Sequence, residues 1–273
     1  RIKHKKHGTV MVSNNRSLQP IRGTKDILPA ENSVFRKIEE TAFEVATRYG
    51  FGEISTPVME FTEIFARTLG DTSDIVTKEM YTFEDRAGDS ITLRPEGTAS
   101  VARAFISNGL SQELPLKLFY RGPMFRYERP QKGRRRQFHQ VGIELIGVPN
   151  AQADIEVIAL GQHFLTELGL RDAITLEINS LGDAESKSSY RNKLVEYLSD
   201  YKGQLSEESL TRIKTNPMRI LDSKDDNDRE ILKNAPLMRH NLNDKSKRFF
   251  EDIIKGLELL NIQYSLNDRL VRG

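Results

Sequence analysis

The sequence predicts an α+β fold in which a long antiparallel β-hairpin is flanked by amphipathic helices. Two β-compatible runs, residues 116–128 and 137–146, flank a loop at 129–136 that holds five lysines or arginines and one glycine. Apolar residues recur at helical spacing in three further stretches, residues 31–49, 151–168 and 244–260. Between 183 and 243 the composition shifts to serine, lysine, aspartate and asparagine with short helical patches, which predicts a small helical insertion.

The composition indicates a folded protein of one to two domains and excludes several functional classes. Of 273 residues, 37% are hydrophobic and 29% are charged, and the net charge of +2 gives no overall nucleic-acid signal. The absence of cysteine excludes disulfides, zinc ribbons and a thiol nucleophile. The sequence contains no Walker A or GxGxxG pattern and no apolar run of membrane-spanning length. We therefore expect a cytoplasmic protein without a membrane contact.

Four segments are predicted along the chain. Residues 1–16 are basic and lack core-forming periodicity, so we expect a disordered extension. Residues 17–182 form the predicted core, 183–243 the helical insertion, and 244–273 a return to the core. The chain begins with arginine and stops without a terminating signal, so both ends are expected to be cut.

The elements before the hairpin follow from periodicity and turn residues. Apolar spacing predicts the first helix from Glu31 to Tyr49, and Gly50 stands where a C-terminal cap belongs. The next predicted elements are a short helix at 61–70, strands at 80–83 and 90–94, and a helix at 99–108. Thr98 would cap this last helix, and Glu96 would complement its dipole. Beyond the hairpin, two further strands are predicted, at 174–179 and 262–266.

The two faces of the hairpin differ in chemistry. Since alternate residues of a strand share a face, Gln140, Gly142 and Glu144 lie together and His139 lies on the opposite face. A glycine between two polar side chains predicts a hollow that suits a small polar ligand. Arg126 is expected beside this hollow, where a guanidinium would bind phosphate. The alternative interpretation is a half-solvated hairpin with a charged, mobile tip.

The hairpin sequence resembles motif 2 of class II aminoacyl-tRNA synthetases, in the form of the histidyl-tRNA synthetases. It carries GPMFRYERPQKGR at 122–134, followed by RQFHQVGIE at 136–144. Further segments resemble the same family: GTKDILP at 23–29, GFGEISTPVME of motif 1 at 50–60, TLRPEGT at 92–98, NPMRILDSK at 216–224 and RLVRG at 269–273. The resemblance covers residues 18–273 and implies the class II catalytic domain, an antiparallel sheet flanked by helices, with the helical insertion lying near the tRNA acceptor stem.

The resemblance implies a site for L-histidine. Glu96 and Thr98 would bind its α-amino group with help from Gln140. Glu144 would accept an N–H bond from the imidazole ring and so select histidine. His139, on the other face of the strand, is assigned a structural role.

The resemblance also implies a site for ATP and Mg²⁺. Arg126 would hold the α-phosphate, and Arg272 would lie between that phosphate and the carboxylate of histidine. Arg134 would contact the outer phosphates, and Glu128 would lie toward adenine or the incoming tRNA end. Arg126 and Arg272 are therefore the predicted catalytic residues, and no resident protein metal site is predicted.

The implied function is ATP-dependent activation of L-histidine and its transfer to the 3′ end of tRNA(His), in a homodimer formed through motif 1. In that family Pro57 lies on the motif 1 strand. The family continues beyond this sequence, so the 273 residues alone are expected to have little activity. One alternative is the synthetase-like regulatory subunit of ATP phosphoribosyltransferase, which lacks the insertion and parts of the substrate site. A generic RNA-binding module is the other, but it would not explain the polar hollow around Gly142.

Overall fold

The computed structural model of the protein describes residues 18–69 and 75–271. The chain divides into two compact units between Ile146 and Gly147. The extension predicted for residues 1–16 lies outside the described residues. In the ranges that are described, no helix combines the length and hydropathy needed to cross a bilayer.

The described residues of the first unit form three helices and six strands. In chain order they are α1 (Pro29–Arg48), β1 (Gly52–Glu53), β2 (Met59–Phe61), α2 (Thr62–Leu69), β3 (Tyr81–Glu84), β4 (Ser90–Leu93), α3 (Thr98–Ser107), β5 (Leu116–Phe125) and β6 (Gln137–Ile146). A π-helical turn at Ile75–Glu79 and a 3₁₀ turn at Leu110–Gln112 join some of them. The predicted helices and strands of this region match these bounds to within three residues, whereas no bounds were predicted for β1 and β2.

The predicted hairpin is confirmed as the centre of the first unit. Strands β5 and β6 pair antiparallel over their whole length, and β1 pairs parallel to β5 on the other side. The register places Gly142 opposite Tyr120 and Glu144 opposite Leu118. This register decides which side chains meet on the polar face.

Helix α1 covers the apolar face of the hairpin. Its proline start and its end before Gly50, which has φ +80°, follow the usual preferences at helix ends. The Phe43 ring lies 5.9 Å from that of Phe119, and the Phe35 ring lies edge-on to His139 at 5.2 Å. His139 thus packs against α1, on the face opposite Gln140 and Glu144.

A second sheet, in the order β2-β4-β3, is antiparallel throughout. On one face the Thr92 hydroxyl bonds to those of Thr62 and Thr82, both at 2.9 Å. Buried Glu60 on β2 pairs with Arg103 on α3 at 2.6 Å, which ties that helix to the sheet. Pro57 lies between β1 and β2 and not on a strand, contrary to expectation, because the motif 1 segment has no ladder pairing there.

The second unit is mainly helical. Its helices and strands are α4 (Ala151–Glu167), β7 (Glu177–Ile178), α5 (Ala184–Ser199), α6 (Glu207–Thr215), α7 (Asp226–Leu232), α8 (Asp244–Leu259) and β8 (Ser265–Leu266). Strands β7 and β8 pair in parallel, and each is shorter than predicted. Helices α4 and α8 pack closely enough that a Cβ at Gly256 would lie 2.2 Å from Ile155.

Helices α5 to α7 enclose a hydrophobic cluster of their own. Its fully buried members are Tyr190, Leu194, Leu198, Ile220 and Met238. Such a cluster supports a distinct helical insertion. The segment boundaries at 183 and 243 stay predictions, since both fall inside the second unit.

Candidate active site

The corner between β4 and α3 presents two of the predicted site residues. The carboxylate of Glu96 accepts the backbone N–H groups of Thr98 at 2.7 Å and Ala99 at 2.8 Å. Glu96 therefore caps the helix, and Thr98 is its first residue rather than its cap. The prediction that Thr98 caps α3 was wrong. Because Glu96 satisfies these N–H groups, the Thr98 hydroxyl can turn toward the hairpin.

The polar row on β6 faces this corner. Side-chain hydrogen bonding from Thr98 lowers the pKa of both Glu144 of β6 and Tyr120 of β5, so the Thr98 hydroxyl lies beside both groups. Glu96 also lies near enough to Glu144 and Tyr120 to influence both electrostatically. The structure thus brings Glu96 and Thr98 together with Glu144, which lies far from them in the sequence.

The hollow predicted above Gly142 is filled by Tyr120. A Cβ added at Gly142 would lie 2.3 Å from Cζ and 2.4 Å from Oη of Tyr120. An aromatic ring often lies across a glycine that faces it on the neighbouring strand. The ring therefore occupies the space that the missing side chain leaves, and the polar side chains of Gln140 and Glu144 flank it along β6.

Gln140 carries an unpaired acceptor. Its Oε1 atom is buried and has no hydrogen-bond partner within the described part of the chain. A buried polar atom without a partner lowers folding stability by about 1–3 kcal/mol. A ligand that supplies the missing donor would remove this cost. An ammonium group, which carries three N–H donors, has the chemistry to satisfy it.

Burial changes the pKa of two side chains at the site, Glu144 and Tyr120. Burial raises the pKa of the Glu144 carboxyl, the Thr98 hydrogen bond lowers it, and Glu96 raises it. Burial also raises the pKa of Tyr120, so its hydroxyl stays protonated at neutral pH. A cation placed among Glu96 and Glu144 would stabilise both ionised carboxylates.

Arg126 is tied to the helix corner. Its Nε donates to the carbonyl of Pro95 at 2.8 Å, and its guanidinium lies 5.1 Å from the centre of the Phe138 ring. Phe138 shares a strand face with Gln140 and Glu144, so Arg126 lies at one end of the polar row. A fixed guanidinium there can bind an anion beside the amino-acid site.

Arg94 was missed as part of the site, and it holds the surrounding segments together. This buried side chain donates from Nε to the Pro123 carbonyl at 3.0 Å and from Nη1 to the Thr56 carbonyl at 3.0 Å. Burial lowers the pKa of Arg94, and nearby Tyr120 raises it. Gly122, at φ +144°, leaves room for the guanidinium, because a Cβ there would lie 2.5 Å from Nη2. In the sequence, the position of Arg94 directly before Pro95-Glu96 was the signal that could have identified it as part of the site.

The loop between β5 and β6 holds the remaining described site residues. Arg134 pairs with the largely buried Glu128 at 3.4 Å, so these two predicted ATP contacts bind each other. The Arg136 guanidinium stacks 3.8 Å from the centre of the Tyr127 ring, and its Nε donates to the Glu128 carbonyl at 3.2 Å. Arg272 lies outside the described residues.

A cavity of about 310 Å³ lies beside the base of this loop. Lys25, Arg135 and His139 contribute to its lining. Lys25 and Arg135 both pair with Glu31 of α1, which offsets one of their two positive charges. None of the predicted histidine-binding residues lines this cavity.

Comparisons with known proteins point to one family. The family model for histidyl-tRNA synthetase matches residues 23–198. Curated proteins named histidine–tRNA ligase are 60% identical to this chain in Rhodospirillum rubrum and 53% identical in Gluconobacter oxydans. Both alignments cover 94% of this chain and 62% of the relative, so the chain spans about 62% of the length of these relatives.

Solved structures agree with these sequence relatives. The apo histidyl-tRNA synthetase of S. aureus matches with a TM-score of 0.73 and 37% identity, covering 94% of this chain and 58% of that protein. A Bacillus halodurans structure described as an ATP phosphoribosyltransferase regulatory subunit/histidyl-tRNA synthetase matches with a TM-score of 0.61 and 25% identity, covering 89% and 65%. The class II catalytic fold predicted from the sequence is thereby confirmed.

Proposed function

Because this chain belongs to the histidyl-tRNA synthetase family, we propose that it forms the larger part of a histidine–tRNA ligase. The enzyme would activate L-histidine with ATP and transfer the histidyl group to the 3′ end of tRNA(His). One observation carries the proposal: Glu96 and Thr98 meet Glu144, and the buried acceptor of Gln140 lies on the same strand face. A cytoplasmic location, where these substrates are used, is part of the proposal.

The amino-acid end of the substrate fits this polar row. The α-ammonium group would donate to Glu96, Thr98 and the unpaired Oε1 of Gln140. Each Glu96 oxygen accepts one backbone N–H and retains a lone pair for the ligand. Glu144 would accept an N–H bond from the imidazole ring, and a ligand without that donor would leave a buried carboxylate unpaired.

Activation joins a carboxylate to the α-phosphorus of ATP. The carboxylate oxygen forms a bond to phosphorus, pyrophosphate leaves, and the repulsion between two anions must be offset. Arg126, held by Pro95, would bind the α-phosphate next to the ammonium site. Arg272 would bridge this phosphate and the histidine carboxylate. No covalent enzyme intermediate is required.

The remaining contacts are those to the outer phosphates of ATP and to the metal ion bound with them. Arg134 would exchange its ion pair with Glu128 for a contact to the β- and γ-phosphates. Glu128 would then turn toward adenine or the tRNA end. Mg²⁺ commonly binds one or two carboxylates together with nucleotide phosphates, so it would arrive with ATP and offset phosphate charge.

A regulatory subunit of ATP phosphoribosyltransferase is the weaker alternative. Its support is the likeness to the B. halodurans structure, at 25% identity. Proteins named histidine–tRNA ligase are 50–60% identical over 94% of this chain. The chain also retains the carboxylates, the glutamine and the arginine that a substrate site would use, as well as a compact helical cluster where the insertion is expected.

Histidine-dependent exchange of pyrophosphate into ATP tests the proposal. A full-length protein that carries these 273 residues is expected to catalyse exchange with L-histidine and not with other amino acids. The 273-residue chain alone is expected to show little exchange, because it spans about 62% of the length of its relatives. Absence of exchange in the full-length protein would contradict the proposed ligase, and strong exchange by the chain alone would contradict the expected dependence on the remaining length.

A further inference from the structure

Tyr120 lies between the two halves of the proposed amino-acid site. One edge of its ring faces the helix corner, since a Cβ at Gly97 would lie 2.1 Å from Cε2 and 2.7 Å from Cδ2. The other edge faces the sheet, since a Cβ at Gly142 would lie 2.7 Å from Cε1. Real Cβ atoms do not approach other atoms so closely, so both positions admit the ring only as glycines.

The ring therefore acts as a spacer between two groups of ligand-binding side chains. Glu96 and Thr98 belong to the corner next to Gly97, and Gln140 and Glu144 flank Gly142 on β6. A flat, stiff aromatic ring fixes the separation of these two groups more tightly than an aliphatic side chain would. A site for a small amino acid needs that separation held closely.

The Tyr120 hydroxyl also acts on the Glu144 side chain, through Thr98. The Thr98 side chain hydrogen-bonds toward both Tyr120 and Glu144 and lowers the pKa of each. Because an ionised Glu144 can only accept, Thr98 donates to its carboxylate. Thr98 thus links Tyr120 to Glu144, so a change at Tyr120 would alter the direction of the Glu144 carboxylate.

We infer that Tyr120 is a positioning residue for L-histidine, which spaces the helix corner from the β6 row and orients Glu144 through Thr98. This role rests on the proposed function. A tyrosine that merely packs across a glycine would affect stability, whereas a positioning residue affects the KM for histidine more than that for ATP.

The kinetic test uses a full-length protein carrying this sequence. Tyr120→Phe keeps the ring and removes the hydroxyl, so the KM for histidine should rise about fivefold while the KM for ATP stays within about twofold. Tyr120→Leu also removes the spacer, and the KM for histidine should rise at least about tenfold. Tyr190→Phe is the matched control, because it removes a buried hydroxyl that bonds to Pro236 in the other unit. It should leave both KM values unchanged.

The spacer geometry has its own test in the 273-residue chain, independent of catalysis. Gly142→Ala should lower the thermal unfolding midpoint, because the new methyl group collides with Tyr120. Adding Tyr120→Leu should recover part of that loss, since leucine vacates the space. Additive effects of the two substitutions would overturn the spacer.

The outcomes separate this inference from the proposed function. Equal changes in both KM values, or none in either Tyr120 variant, would overturn the positioning role while histidine activation stands. If Tyr120→Leu does not fold, Tyr120→Phe still decides the result. Absence of histidine activation in the unchanged full-length protein would overturn the proposed function and this role together, even where the spacer geometry holds.

Discussion

At the scale of single residues, burial of the Glu144 carboxylate opposes folding, while the same carboxylate has a proposed role in binding the imidazole ring. Burial raises the pKa of its carboxyl above the ordinary value of 4.5, and neighbouring Glu96 adds to that rise. Folding therefore disfavours the ionised form of Glu144 relative to the unfolded chain, whereas the proposed imidazole contact uses that ionised acceptor. Carboxylates whose ionised form destabilises the folded protein are common in binding sites, where function is selected over stability.

The variant Glu144→Gln should bind histidine less well and fold more stably. The KM for histidine in the full-length protein should rise about 10- to 100-fold, since a neutral amide accepts the imidazole N–H bond more weakly than a carboxylate. A raised folded-state pKa means that the ionised form opposes folding, so the gain in thermal midpoint should appear as the pH rises above 4.5 and disappear below it. Glu113→Gln, at an exposed position, is the control. Unaltered selection of histidine would remove Glu144 from the specificity role.

At the scale of elements, the helical insertion is held by one buried aspartate. Asp228 of α7 is fully buried and accepts from the Ser206 N–H at 2.9 Å and from the hydroxyls of Ser206, Ser209 and Ser223 at 2.8, 2.6 and 2.7 Å. Burial alone would raise the pKa of Asp228, but these hydrogen bonds outweigh it and lower the pKa. The carboxylate thus joins α6, α7 and the segment after the Pro217–Asp222 turn.

Asp228→Asn should destabilise the protein by about 2–3 kcal/mol, because an amide replaces a charged acceptor and turns donors toward hydroxyls already in use. Chemical denaturation at pH 7 measures the loss. A lowered folded-state pKa contributes stability that is present above the ordinary aspartate pKa of 3.8 and is lost as the pH falls through the lower value. Asp226→Asn on the same helix, whose side chain is 98% exposed, should have little effect. Equal effects of the two variants would refute the anchoring role of Asp228.

At the scale of the whole molecule, one sheet surface exposes several large apolar side chains. Met59 and Phe61 of β2 share a face with the aligned residues of β4 and with Tyr81 and Phe83 of β3. Phe61 is 57% exposed, Met59 55% and Phe83 45%. Such a cluster would suit the homodimer interface that the resemblance to motif 1 implies.

Phe61→Asp should shift the protein from dimer to monomer at micromolar concentration, because it places a charge in the apolar face that the second copy would cover. Sedimentation equilibrium of the chain and the variant measures the change. Leu259→Asp, at an exposed apolar position in the second unit, is the control and should leave the association unchanged. A monomeric unchanged chain, or a dimeric Phe61→Asp variant, would contradict this interface.

Local patterns accounted for most of the elements. Period-2 alternation and the cationic loop located β5 and β6, and helical spacing with Gly50 located α1 nearly to the residue. The lengths of β7 and β8 were predicted less well. Each strand has two residues, because only part of each apolar run finds a pairing partner. Two other predictions failed for local reasons: the segment around Pro57 finds no pairing strand, and the Glu96 carboxylate takes the N–H groups that the Thr98 cap was expected to bind.

The sequence by itself determined the fold class, the family and the side chains that can bind an amino acid and a phosphate, because these depend on residue type and short-range spacing. The tertiary structure alone decided that the Tyr120 ring fills the space over Gly142 and separates it from Gly97, and that Thr98 is shared with Glu144. These contacts join residues more than twenty positions apart. Their geometry follows from strand register and close packing, which periodicity along one chain segment does not encode.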